Sequence, residues 1–238
     1  MTINNNNNTR INEWFVPKFG PARFRVFVGL LFLPYTGMCV SFAIIGSMLA
    51  DEIALDRVGA IALIYILALG VSAHVADSLG SKKGKPWGSY FNKVQLLILM
   101  MATLAAAYAI GIYYIIFFAP MLAIIAVLEG FFLFAYNYEI SGGLFHNDFW
   151  FAVSWGALPL LAGYIIQTNS ISLLPLAVAC LTGVSSYSEI RISRPYKQLK
   201  QNNSDPARAD RLENGLKAIS LGTIASAISM LIYRIIFS

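Results

Sequence analysis

The chain is 238 residues long, 58% hydrophobic and only 12% charged, with a net charge of +5. Soluble domains carry about 25% charged residues, so this chain cannot cover its surface with polar groups; with a mean hydropathy of +0.65 it reads as an integral membrane protein. The composition excludes a disulfide scaffold, since Cys39 and Cys180 both lie inside apolar runs. The basic balance is not a nucleic-acid signature either, because its placement follows membrane topology.

In chain order, residues 1–20 form a polar tail that opens on "MTINNNNNTR". It has no early apolar core, so no cleavable signal peptide is expected, and residues 1 to about 10 read as disordered. Trp14 and Phe15 are candidates for interfacial anchors. Residues 21–238 read as one transmembrane helical domain. Seven apolar segments are long enough to span: roughly 26–50, 58–80, 94–117, 119–138, 149–167, 171–192 and 215–237. All should be helices, because a lone strand cannot satisfy its backbone in lipid. Pro120 marks a tight turn between the third and fourth segments. The polar stretch "QLKQNNSDPARADRLEN" (198–214) reads as a cytoplasmic loop, with Asp205 and Pro206 suiting a helix start.

Orientation follows from lysine and arginine. With the N-terminus in the cytoplasm, all but Arg57 and Arg234 of the 17 basic residues fall on the inner side. The first outer loop, "ADEIALDR", is mainly acidic, in agreement.

Two inner helix ends carry residues suited to chemistry. The first holds His74 and Asp77, three residues apart and so on one helix face, followed by Lys82, Lys83 and Lys85. The second holds Tyr187, Glu189, Arg191, Arg194 and Lys197. A carboxylate pair can hold Mg²⁺, and the ion with nearby Lys and Arg can hold a diphosphate. Greasy walls under a cationic rim suit an isoprenoid diphosphate. The bland alternative is interfacial decoration, which is common at helix ends. Glu129, well inside the fourth segment, either lines a cavity or hydrogen-bonds a neighbouring helix as a neutral acid. Glu139, His146 and Asp148 sit in an inner loop, with Asp148 a candidate N-cap of the fifth segment. Tyr108, Tyr113 and Tyr114 read as packing and interface residues. No Walker loop, G-x-S-x-G or H-E-x-x-H motif occurs.

The stretch "HNDFWFAVSWGALPLLAGYIIQ" (146–167), with its Trp-Gly-x-x-Pro and following Gly-Tyr, resembles the fifth helix of the UbiA superfamily of intramembrane prenyltransferases. "AHVADSLGS" stands where that family carries its first Asp-rich motif, "GKPWG" resembles the basic-Pro element after it, and "YSEIRISRP" stands at the second Asp-rich motif. The likeness covers about residues 20–197. Over the first motif the family's Asn falls on Ala73, its acids on His74, Asp77 and Ser81; in the second a lone Glu189 replaces a group of acids. The family usually has nine helices, against seven here. The resemblance implies a shortened, all-α bundle that transfers an isoprenoid chain from a prenyl diphosphate to a lipophilic acceptor. Asp77 and Glu189 would then hold Mg²⁺, with His74 a secondary ligand or a partner of Asp77. Lys82, Lys83, Lys85, Arg191, Arg194 and Lys197 would grip the diphosphate. With so few carboxylates left, the other expectation is a silent relative that binds lipid or isoprenoid as a subunit of a larger membrane assembly.

Overall fold

The structure, a computed structural model, describes residues 11, 13–80, 90–202 and 204–237. Every long element among them is a helix. We number them α1 (Ala22–Leu30), α2 (Leu33–Met48), α3 (Leu55–Gly80), α4 (Lys93–Phe117), α5 (Leu122–Asn137), α6 (Asp148–Thr168), α7 (Leu173–Asn202) and α8 (Pro206–Phe237). Six stretches are long and apolar enough to cross a membrane: Ala22–Met48, which joins α1 and α2, then α3, α4, α6, α7 and α8. The chain is a multi-pass membrane protein. The fourth expected span, α5, is shorter. Its 16 residues rise about 24 Å, less than the roughly 30 Å of a hydrocarbon core.

The helices close a ring. α2 packs on α3, α3 on α4, α4 on α5, α5 on α6, α6 on α7, α7 on α8, and α8 returns to α2. α2 and α6 also pack across the middle, and small residues make that seam. A Cβ at Gly46 would run into the Leu160 carbonyl, and one at Gly163 into the Ala43 carbonyl. Only glycine lets the two backbones come this close. Ser47 donates from Oγ to the carbonyls of Gly163 (3.0 Å) and Ala43 (3.2 Å), so the seam carries a hydrogen bond between helices as well as close packing.

Three helices are irregular where the sequence looked smooth. The first span breaks at Phe32, which adopts a left-handed backbone (φ 44) between α1 and α2. That conformation is costly for a bulky residue. It directs the Phe32 ring toward His74, 5.0 Å between centroids. α3 widens into a π turn over Ile66–Ala73, and α6 does so over Val153–Ala157. The second has a local cause. Pro159 has no N–H, so it cannot return a bond to the Trp155 carbonyl four residues back. Cys39 Sγ (3.5 Å) and Ser186 Oγ (3.3 Å) take that carbonyl instead, one from each neighbouring helix.

Two sequence expectations are corrected. Residues 198–214 are not a loop: α7 continues to Asn202 and α8 starts at Pro206. Asp205 caps α8, its Oδ1 accepting from the Arg208 N–H at 3.1 Å. Polar composition misled here, because Ala, Arg, Leu, Glu and Lys are good helix formers whatever their hydropathy. Glu213 also gains Lys217 one turn on (2.7 Å) and Lys200 from α7 (3.1 Å). Nor is the segment up to residue 20 wholly a tail. Phe15 packs on Phe32, Trp14 lies under the Lys217 ammonium, and Val16 is buried. Tyr196 OH lies 2.7 Å from Glu13 and 2.9 Å from Glu213, joining this segment to α7 and α8. Residues 1–10, expected to be disordered, lie outside the described residues.

Candidate functional site

The start of the first span, the end of α3, the end of α5, the start of α6, the end of α7 and the start of α8 gather at one end of the bundle. Contacts show it directly: Glu13 meets Tyr196, His74 meets Phe32 and Trp155, Asp148 meets Arg194, and Glu213 meets Lys200. This is the basic end of the sequence analysis.

The expected site residues separate into three settings there. Glu189 is 2% exposed, in a small pocket walled by Phe32, Tyr35, Ser193 and Lys197. The Lys197 ammonium lies over the rings of Phe32 (5.2 Å) and Tyr35 (5.5 Å), and Tyr35 OH donates to Ser193 Oγ. His74 stands in a column of rings, with Phe32 on one side and Trp155 on the other, each 5.0 Å away. Trp155 stacks in turn on Phe151 (5.5 Å). Asp77 is exposed, on the last helical turns of α3, within electrostatic reach of Tyr136 on α5. The Glu189 pocket takes no wall residue from α3. Lys82, Lys83 and Lys85 lie outside the described residues.

Arg191 and Arg194 point elsewhere. Both reach Asp148 at the start of α6: Arg194 Nη2 lies 2.8 Å from Oδ1 and Arg191 Nη1 3.7 Å from Oδ2. The Arg side chains stay open to solvent, 64% and 45% exposed for Arg191 and Arg194, while that of Asp148 is only 14% exposed. Asp148 is therefore not the N-cap of its helix. Asn147 is, its Oδ1 accepting from the Trp150 N–H at 3.0 Å. The cap frees the Asp148 carboxylate for the two guanidinium groups. Tyr136, also facing Asp148 and Arg194, and His146, whose Nδ1 lies 2.9 Å from the Tyr136 carbonyl, complete the surroundings. Sequence reading missed this group; its only signal was an acid in "HND" without a basic neighbour.

The Mg²⁺ reading needs hard oxygen ligands converging on one point. Glu189 is sealed beside Lys197 and Asp77 is out on the surface, so the described residues do not form that set. No group of three His, Cys, Asp or Glu side chains among them is arranged to hold a metal ion.

The opposite end carries the two basic residues left over by topology, and both bind backbone. Arg57 Nη1 donates to the carbonyls of Ile166 (3.2 Å) and Gln167 (2.9 Å) at the end of α6. Arg234 Nη2 donates to Ala50 and Asp51 beyond α2, both at 2.7 Å. These carbonyls belong to helix ends, where no intrahelical partner exists.

Between the ends, α3, α4, α5 and α6 surround an almost wholly apolar cavity with Glu129 in its wall. Tyr65 OH donates to Glu129 Oε1 at 3.0 Å, which answers the sequence question by giving both alternatives at once: the carboxyl lines a cavity and bonds a neighbouring helix. Set against protein-family models, curated proteins and solved structures, the chain matches none.

Proposed function

We propose that the chain is a membrane-embedded binding protein for an apolar-tailed molecule with a phosphate or diphosphate head, held at the basic end, which faces the cytoplasm. The observation that carries this reading is the Arg191–Asp148–Arg194 bridge. One carboxylate between two exposed guanidinium groups stands where a phosphate oxygen would stand, and arginine forks fit phosphate as well as carboxylate. An arriving head displaces Asp148 and gains both forks, while its tail lies along the apolar helices. A prenyl diphosphate is the ligand favoured by the resemblance to UbiA enzymes, and the bundle then acts as a binding subunit of a larger assembly.

The test is binding of farnesyl diphosphate to the purified chain in nanodiscs, without and with Mg²⁺. Saturable binding weakened about tenfold in Arg194→Ala supports the reading. No saturable binding, or equal binding by that variant, sinks it.

Prenyl transfer is the second reading. It is favoured by Asp77, exposed on the last turns of α3 a few residues before Lys82, Lys83 and Lys85 in the sequence. Release of pyrophosphate from farnesyl diphosphate with a lipophilic acceptor and Mg²⁺, lost in Asp77→Asn, would establish it.

A further inference from the structure

We infer that the cavity walled by α3, α4, α5 and α6 is a second ligand site, one that admits a slim aliphatic chain carrying a carbonyl oxygen from the bilayer. The cavity holds about 70 Å³, and its walls are hydrocarbon apart from Tyr65, Tyr108 and Glu129. Glu129 sits mid-way along α5, about 10 Å from either helix end, so the site lies deep in the bundle. Two tyrosine hydroxyls are already committed: Tyr65 donates to Glu129 Oε1 (3.0 Å) and Tyr108 to the Ala126 carbonyl (2.9 Å). Glu129 Oε2 is buried and has no hydrogen-bond partner among the described residues.

The bond pattern fixes what the occupant must offer. A bare carboxylate in hydrocarbon is expensive, so the neutral acid is the form that fits. Oε1 accepts from Tyr65, which leaves the carboxyl proton on Oε2. A buried donor without an acceptor costs about 1–3 kcal/mol. The missing partner is therefore an acceptor, such as a ketone or aldehyde oxygen, and not a donor. Size narrows it further. A cavity of about 150 Å³ takes benzene, so the smaller one here admits an unbranched chain rather than a ring. The proposed route is lateral, past Ile112 on α4, which lines the cavity and is 49% exposed.

Asp148, Arg191 and Arg194 do not line this cavity, so its test does not depend on phosphate binding. The full chain in detergent micelles is titrated with 2-tridecanone and with n-tridecane, read by thermal unfolding. The ketone should bind roughly five- to tenfold tighter than the alkane, the ratio one hydrogen bond supplies. The difference should vanish in Glu129→Leu. Should that variant not fold, the carbonyl stretch of ¹³C-labelled ketone on the unaltered protein decides, since hydrogen bonding moves it to lower frequency. Equal affinity for ketone and alkane, no effect of either, a difference that survives Glu129→Leu, or an unshifted carbonyl band overturns the proposal. Water alone as the occupant appears as no effect of either ligand.

Discussion

The two ends of the bundle put most of their cations to different uses, although Arg25 at the basic end also donates to backbone, to the carbonyls of Pro17 (2.7 Å) and Ile11 (3.0 Å). Arg57 and Arg234 give their N–H groups to backbone carbonyls at helix ends, and Arg57 also covers the Phe118 ring at 4.8 Å. Arg191, Arg194, Lys200 and Lys217 meet carboxylates, Asp148 and Glu213, with the cations partly in solvent. A backbone carbonyl at a helix end has nowhere to go, so an arginine bound to it is a fixed part of the fold. A side-chain carboxylate can turn away into water and leave the cation to another anion. The first arrangement closes the structure; the second keeps it open to exchange.

The largest expected effect tests what both ends share. Gly163→Leu pushes a side chain into the Ala43 carbonyl across the α2–α6 seam. It should cost more than about 3 kcal/mol and abolish cooperative thermal unfolding. A variant that melts like the parent would show that the seam relaxes and does not set the spacing of either end.

Next comes the contrast itself. Arg57→Ala should lose about 2–3 kcal/mol in thermal or denaturant unfolding, because two carbonyls lose charged donors. Arg194→Ala should lose less than about 1 kcal/mol, the range for a solvent-exposed ion pair. Equal losses would erase the distinction between closing and exchanging cations. Asp148→Asn sharpens it from the other side. With its charge gone, pyrophosphate should bind roughly three- to tenfold tighter by calorimetry, with stability nearly unchanged; unchanged or weaker binding would mean that the arginines do not exchange partners. The smallest effect is expected at Glu213→Gln, about 0.5 kcal/mol, since its lysines are 43% and 36% exposed.

Much of the scaffold was legible in the sequence, and the reasons are physical. Spans show as apolar runs because lipid tolerates little else, and charge asymmetry put Arg57 and Arg234 at the end where the structure has them, away from Arg191, Arg194, Lys200 and Lys217. Asp205 and Pro206 announced the start of α8 because a cap and a fixed φ act locally. What stayed hidden depends on residues distant in the chain. The break at Phe32 is stabilised by His74 and Phe15; the Trp155 carbonyl released by Pro159 finds Cys39 and Ser186; Glu129 finds Tyr65, 64 positions away. The site was half legible for the same reason. His74, Asp77, Glu189 and the arginines could be picked out by type, but nothing local says that Glu189 is enclosed or that Asp148 holds Arg194.

The wide turn at Val153–Ala157 has one more consequence. Such a turn accommodates one residue beyond a regular winding. Winding the same residues as an unbroken α-helix would swing everything downstream by about 100° relative to everything upstream. Phe151, with its ring column, lies on one side of the turn, and Gly163, which meets α2, lies on the other. The wide turn thus acts as an angular offset that lets one helix satisfy two neighbours at once, and straightening it into a regular winding would force a choice between them.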